Sequence, residues 1–145
     1  MSDLKVRLQN DLAEARKARD KARTLVLSTT LSEVRNREIE LGREAADAEV
    51  LEVLSRAIKQ RGDAAEQMTA GGRPELAQKE AAEAELLKAY LPEQLSPDEV
   101  RAMIRDIVGE GVAAIGPVMG RLAPRIKGRF DGREANALVR EVLEG

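Results

Sequence analysis

The sequence contains no cysteine and no histidine. Without cysteine, the chain forms no disulfide and performs no thiolate chemistry. The lack of histidine removes the commonest metal ligand and the side chain best suited to proton transfer near neutral pH. The sequence also has no Walker-type glycine loop for ATP and no residue set that resembles an amidase nucleophile with its base. These absences predict a protein without a catalytic site, a metal site or a cofactor.

Aromatic residues make up only 1% of the chain, and Tyr90 and Phe130 are the full set. Because stacking on nucleobases usually requires aromatic faces, it cannot contribute much to binding by this protein. The hydrophobic residues, 43% of the chain, are therefore almost all aliphatic or methionine. Such a core is typical of helical bundles, and no stretch has the alternating pattern of a strand. The sequence predicts an all-α fold.

Long apolar runs are absent as well, and the N-terminus is polar, which favours a soluble, cytoplasmic protein. The formal net charge is −2 and the isoelectric point is about 5.4. This balance is not that of a dedicated nucleic-acid binder. Any contact with nucleic acid must therefore rest on a local basic patch. Residues 43–96, which contain more acidic than basic residues, are expected to repel nucleic acid.

Four helical patterns occupy the first 90 residues. Ser2 is predicted to be the N-cap of the first helix and Asp47 of the third, because Ser and Asp side chains accept N–H groups of a first turn. Gly42 is predicted to end the second helix as its C-cap. We expect these helices at 2–19, 24–41, 47–70 and 74–90.

Two prolines, Pro92 and Pro97, interrupt this helical pattern. Neither suits a helix interior, because proline lacks an N–H donor and restrains the residue before it. Ser96 is then well placed as the N-cap of a new helix, with Glu99 at capping-box spacing. We therefore predict an N-terminal helical domain of about four helices at 1–90, a linker at 91–96 and a C-terminal domain at 97–145.

Three amphipathic patterns follow the linker. The first runs from Pro97 to two glycines at 109 and 111. The second begins at Gly116 and contains Pro124, which is expected to kink it. The third follows Asp131, which again has capping-box spacing to a glutamate three residues later. Contact between these helices predicts a small three-helix domain.

A basic segment joins the last two helices. Its basic residues, with Asp131 as the one acidic residue among them, are Arg121, Arg125, Lys127, Arg129 and Arg133. Gly128 lets the backbone approach a ligand closely, and the N-terminus of the final helix offers N–H groups to an anion. The segment therefore suits a phosphate backbone, with Lys127 and Arg129 expected to be exposed. The alternative interpretation is a kinked helix with a solvated basic side and a glycine stop.

Two other charged clusters are interpreted as solvated surface. The first, at the end of the first helix, consists of Arg16, Lys17, Arg19, Lys21 and Arg23. Basic residues there match the negative end of the helix dipole. The second, on the fourth helix, consists of Glu80, Glu83 and Glu85. With no histidine nearby, these carboxylates are more typical of a wet helix face than of a metal or acid–base site.

Several motifs resemble the YqeY family. The C-terminal ones are Tyr90-Leu91-Pro92-Glu93-Gln94-Leu95, Gly116-Pro117-Val118-Met119-Gly120 and Lys127-Gly128-Arg129-Phe130-Asp131-Gly132. In the N-terminal part, Asn36-Arg37-Glu38-Ile39-Glu40 and Lys59-Gln60-Arg61 resemble helices of that family. The resemblance covers nearly the whole chain, and the C-terminal glycine pattern is its most specific part. Phe130 stands where the family commonly has a small residue, and it adds either a stacking surface or core.

This family is similar to the helical C-terminal region of the B subunit (GatB) of glutamine-dependent aminoacyl-tRNA amidotransferase, whose tail domain helps to hold tRNA. The resemblance implies an all-helical, non-catalytic tRNA-binding accessory module, because amide transfer occurs in other domains of those enzymes. The implied partners are tRNA and an amidotransferase or an aminoacyl-tRNA synthetase. A carbon–nitrogen ligase label would rest on family similarity alone. The alternative is a protein–protein adaptor that docks through its apolar helices.

Overall fold

The computed structural model describes residues 2–145, which form seven α-helices and no β-strand. The helices are α1 (Asp3–Lys17), α2 (Lys21–Leu41), α3 (Asp47–Ala70), α4 (Pro74–Lys88), α5 (Pro97–Gly109), α6 (Ile115–Ile126) and α7 (Gly132–Glu144). The all-α fold predicted from the sequence is confirmed. The chain divides into two units: the N-terminal unit, which ends at Leu91, and the C-terminal unit, Pro92–Gly145. Within residues 2–145, no helix combines the length and the apolarity needed to cross a membrane.

The core of the N-terminal unit is built almost entirely from aliphatic side chains. Each of its four helices contributes a fully buried leucine, namely Leu8, Leu27, Leu54 and Leu87. Thr30 is also fully buried, and its hydroxyl donates a hydrogen bond to the carbonyl of Val26 at 2.8 Å. Because this bond satisfies the hydroxyl within its own helix, burying the polar group costs little.

The helices α3 and α4 are connected by an ion pair. The Nε atom of Arg61 lies 3.3 Å from the carboxylate of Glu83, and the two side chains are only 12% and 16% exposed. The sequence had suggested that Glu83 belongs to a solvated helix face. In the structure it links two helices instead. Glu85 pairs with Lys88 at 2.8 Å on the surface. In the part of the chain that the structure describes, no cluster of acidic residues is arranged to hold a metal ion.

The prediction that Asp47 is the N-cap of α3 is wrong, because Ala46 occupies the cap position. Asp47 is the first residue of α3, and its carboxylate accepts hydrogen bonds from the N–H of Leu4 at 3.2 Å and from the hydroxyl of Ser2. Ser2 is the N-cap of α1, as predicted, and accepts from the N–H of Lys5. Asp47 thus completes the cap of α1, not of its own helix.

The boundaries of α2 also differ from the sequence expectation at one end. The helix begins at Lys21, three residues earlier than predicted, because the side chain of Asp20 accepts the N–H of Arg23 at 3.1 Å and acts as N-cap. Its C-terminal end is as predicted, since Gly42 has a φ of 70° in the left-handed region. With Asp20 as N-cap, residues 21–23, which the sequence had not assigned to a helix, form the start of α2.

Glu38 connects α1 with the segment between α2 and α3. Its carboxylate accepts hydrogen bonds from the N–H of Ala45 and from Lys5 Nζ, each at 2.9 Å. These two bonds, the backbone one first, lower the pKa of Glu38. A residue of the motif that resembles the YqeY family thus has a structural role in holding the N-terminal unit together.

Glu49 forms a second such cluster at the start of α3. Its carboxylate oxygens accept hydrogen bonds from Nη1 and Nη2 of Arg43 and from the N–H of Ala46, all at 2.8 Å. The bond from Arg43, assisted by that from Ala46, lowers the pKa of Glu49 from 4.5 to about 2. The ionised carboxylate is therefore the form that stabilises this helix start.

Acid is expected to destabilise the N-terminal unit. Because folding lowers the pKa of Glu49, the ionised carboxylate stabilises the folded unit. This contribution to the free energy of unfolding is fully present above pH 4.5 and is lost as the pH falls to about 2. We expect the urea midpoint, followed by circular dichroism, to decrease over this pH range. The Glu49→Gln variant should start lower at neutral pH and change less, whereas Glu66→Gln, at an exposed position of α3, should follow the wild type. Equal pH dependence in all three proteins would contradict this role for Glu49.

The C-terminal unit is a three-helix arrangement around a second aliphatic core. Residues of α5, α6 and α7 are fully buried in it, among them Val100, Ile104, Val118, Leu122 and Val139. Ser96 caps α5 as predicted, since its hydroxyl accepts the N–H of Glu99 at 3.1 Å and the Glu99 carboxylate accepts the N–H of Ser96 at 3.2 Å. This capping box determines where α5, the first helix of the C-terminal unit, begins.

Candidate nucleic-acid interface

The basic segment lies at the end of α6, in the turn that follows, and at the start of α7. Arg121 and Arg125 are one helical turn apart on α6 and so project from one side of it. Lys127 is the C-cap of α6, and Arg133 is the second residue of α7. All four are exposed. The structure therefore places Arg125, Lys127 and Arg133 in or beside the turn between α6 and α7, with Arg121 one helical turn earlier on α6.

Gly128 shapes the turn between these helices. Its φ of 74° lies in the left-handed region, which favours glycine. An added Cβ would meet only Pro92 Cδ at 3.9 Å, so the backbone conformation, not lack of space, calls for glycine. The carbonyl of Gly128 accepts a hydrogen bond from Gln94 Nε2 at 2.9 Å. The neighbouring Phe130 is partly buried against the C-terminal core, which favours the core interpretation of this residue over a stacking surface.

Arg129 has a structural role at this turn. Its Nε atom donates a hydrogen bond to the carbonyl of Glu93 at 3.0 Å, and its own carbonyl accepts the N–H of Leu95 at 2.9 Å. The side chain is half-buried, so the expectation that Arg129 is exposed is wrong. Its guanidinium is turned toward a backbone segment that is more than 30 residues earlier in the sequence. Arg129 is therefore better suited to positioning the turn than to meeting a ligand.

The stretch that the sequence assigned to a linker provides the partners in these bonds. Residues 91–96 contain no helix. The backbone of Glu93 and Leu95 and the side chain of Gln94 all bond to the Gly128 turn of the C-terminal unit. Sequence reasoning missed these contacts, because a polar side chain between two prolines gives no signal of a distant partner.

The electrostatic setting of the exposed basic residues is uneven. Arg121 forms an ion pair with Glu110 at 2.9 Å, in which both side chains are more than half exposed. Such a surface pair contributes little to stability and can exchange with another anion. At the start of α7, the Asp131 side chain accepts the N–H of Glu134 at 3.4 Å, so a cap already occupies part of the predicted anion site. Arg125, Lys127 and Arg133 are likewise exposed.

Comparison with known proteins identifies relatives across most of this chain. Residues 5–143 match the YqeY family, described as Yqey-like protein. A relative from Saccharomyces cerevisiae (strain YJM789), named altered inheritance of mitochondria protein 41, mitochondrial, is 32% identical over 85 residues, which are 58% of this chain and 46% of the relative. The protein of the same name from Lachancea thermotolerans is 29% identical over 106 residues, 71% of this chain and 57% of the relative.

The chain spans about half the length of the curated relatives it matches. The family match is broader, because it includes parts of all seven helices and of both units. It also contains the Gly128 turn and the segment bonded to it. By this match over residues 5–143, the chain belongs to the YqeY family.

Proposed function

We propose that this protein is a non-catalytic tRNA-binding accessory module. The observation that carries the proposal is the presentation of Arg125, Lys127 and Arg133 on and beside one turn that backbone hydrogen bonds hold in place. Phosphate contacts of this kind depend on charge and shape and not on base identity. The resemblance to the tail of the amidotransferase B subunit supports tRNA as the RNA class.

The residues of the basic segment have different roles in this proposal. Arg125, Lys127 and Arg133 contact phosphates directly. Gly128 and Arg129 position the turn, and Arg121 exchanges its surface partner Glu110 for a phosphate. Because no aromatic platform is exposed at the turn, base stacking adds little. The interface therefore recognises a backbone shape.

The overall charge indicates how such a module would work. A net charge of −2 opposes tight binding of RNA by the isolated protein. Docking on an amidotransferase or an aminoacyl-tRNA synthetase would raise the local tRNA concentration and compensate for a weak contact. In this proposal the protein acts in the cytoplasm, requires no cofactor and leaves amide transfer to its partner.

The double substitution Arg125→Glu with Arg133→Glu is expected to weaken binding of labelled total tRNA about tenfold at low salt, because two phosphate contacts become repulsive. The slope of log affinity against log salt should become shallower by about 1.5, since each contact contributes roughly 0.7 to 0.9. Fluorescence anisotropy at several salt concentrations measures both quantities.

A matched control makes the same charge change elsewhere. Arg56→Glu with Arg105→Glu reverses two exposed arginines on α3 and α5. We expect this control to retain most of the affinity and of the salt slope. Equal losses in both double variants would show a non-specific charge effect and refute the proposed surface.

A second function is supported by the exposed apolar residues of α2. Leu25 and Ile39 are 59% and 73% exposed, and their spacing of 14 residues places them on the same side of the helix. Such residues suit a protein–protein adaptor. A pull-down from lysate with and without ribonuclease separates the two functions, because ribonuclease removes partners recruited through RNA and leaves those docked on α2.

A further inference from the structure

The turn between α1 and α2 carries a group of exposed basic side chains. We define the basic turn as Arg16, Lys17, Arg19 and Lys21, all of which are exposed. Within residues 2–145, none of these four side chains forms an ion pair or a hydrogen bond. Arg23, in contrast, lies 3.9 Å from the carboxylate of Asp11. The sequence alone suggested a solvated helix end. Two features of the turn, at Arg19 and at Lys21, are not explained by that interpretation.

Arg19 adopts a backbone conformation that favours glycine. Its φ is 57°, and the other positive-φ residues among those described are all glycines, at 42, 72, 111 and 128. The N–H of Asp20 bonds to the carbonyl of Ala15 at 3.0 Å and that of Arg19 to the carbonyl of Arg16 at 3.1 Å, which is the Schellman pattern. The position that glycine usually occupies in this motif is thus held by an arginine that is exposed.

Lys21 is also placed against local preference. It is the first residue of α2, at the positive end of the helix dipole, and the first turn of α2 contains no acidic residue. The N-cap Asp20 is the one acidic residue between positions 16 and 23, against five basic residues. Two residues of the basic turn therefore oppose the local stability of the fold, and such conflicts are expected at functional sites.

We propose that the basic turn is a second RNA contact, in which Arg16, Lys17, Arg19 and Lys21 bind the phosphate backbone of tRNA. The inference rests on the proposed RNA-binding function and adds a separate surface on the other unit. Between positions 16 and 23 the uncharged residues are alanines, so the turn has no large apolar side chain to insert into a membrane. A cluster of exposed cations without large apolar side chains suits phosphates on an RNA surface.

The test compares a triple variant of the turn, Lys17→Gln, Arg19→Gly and Lys21→Gln, with the wild type. Binding of labelled total tRNA is expected to weaken about tenfold at low salt, with a salt slope shallower by about 2, because three phosphate contacts are lost. The melting temperature should stay the same or rise, because glycine suits the left-handed position and glutamine removes a cation from the start of α2. A turn needed only for folding would show the opposite pattern.

A control with the same change in charge is Arg56→Gln, Lys59→Gln and Lys79→Gln, at exposed positions of α3 and α4. It should bind tRNA nearly as well as the wild type. Equal weakening by the two triple variants would overturn the inference. Vesicles of phosphatidylcholine with phosphatidylserine provide a second probe: loss of vesicle binding with unchanged tRNA binding would assign the turn to a membrane and also overturn the inference.

The same assay distinguishes this inference from the proposed function. Weak binding by the turn variant and normal binding by the Arg125→Glu with Arg133→Glu variant would support the basic turn and refute the C-terminal surface. The reverse result would refute the basic turn and leave the proposed function intact. Failure of the wild type to bind tRNA at low salt would refute both.

Discussion

The substitution Leu122→Ala is expected to unfold the C-terminal unit and to leave α1–α4 folded. Leu122 is fully buried between the helices of this unit. Removing a buried leucine side chain costs about 2 to 5 kcal/mol, including the cavity that it leaves. A unit of this length has a stability of only about 3 to 5 kcal/mol from its core. The loss is therefore comparable with the whole stability of the unit.

Circular dichroism with thermal unfolding measures this effect. The helical signal should decrease by the share that α5–α7 contribute, and the remaining transition should keep the wild-type midpoint. Ile115→Ala, at a partly exposed position of the same helix, serves as the control and should change little. A single transition that shifts as a whole would show that the two units unfold together and would contradict the predicted division into domains.

The second large effect is expected at Tyr90, for which Tyr90→Ala should destabilise the N-terminal unit by about 3 to 5 kcal/mol. The side chain is only 5% exposed and packs in the N-terminal core. Its hydroxyl donates a hydrogen bond to Asp11, and the guanidinium carbon of Arg7 lies 4.6 Å from the ring centroid. Tyr90→Phe keeps the ring and should cost about 1.5 to 3 kcal/mol, the contribution of a hydrogen bond to a charged group. Urea unfolding of both variants provides the measurement.

Alkaline titration provides an independent check on the environment of Tyr90. Burial, followed by the hydrogen bond to Asp11, raises the pKa of Tyr90 to about 12. The stability that depends on the neutral phenol is fully present below pH 10, the ordinary pKa of tyrosine. It is lost as the pH rises to about 12. Because the chain has one tyrosine and no tryptophan, phenolate absorbance reports this residue alone. A midpoint near 10 in the folded protein, or one that Asp11→Asn fails to lower, would contradict the described contact.

Much of the fold could be predicted from the sequence because its signals are local. Ser2, Gly42 and Ser96 were identified as caps, since each bonds or turns within a few residues. Asp47 shows the limit of this reasoning. Its type and position are those of an N-cap, but its carboxylate bonds to residues more than 40 positions earlier. A cap pattern contains no information about such a distant partner.

The candidate site could be predicted only in part, for a related physical reason. Charge clustering identified the basic segment, and Arg125, Lys127 and Arg133 are exposed as that prediction requires. Composition cannot separate an arginine that faces solvent from one that bonds to a remote carbonyl, and Arg129 is of the second kind. Nor does composition show a left-handed backbone, which is what distinguishes Arg19 from an ordinary residue at a helix end.

The hydrogen bonds between the Gly128 turn and the segment around Gln94 bear on how a function can be inferred from one relative to another. The two stretches they connect are both among those that resemble the YqeY family, so two apparently separate signatures in the sequence belong to one structural joint. A protein would keep both signatures in order to fold, whatever ligand it binds. Shared signatures therefore predict a shared scaffold, whereas under the proposed function agreement at Arg125 and Arg133, which lie outside both signatures, is the better guide to a shared ligand.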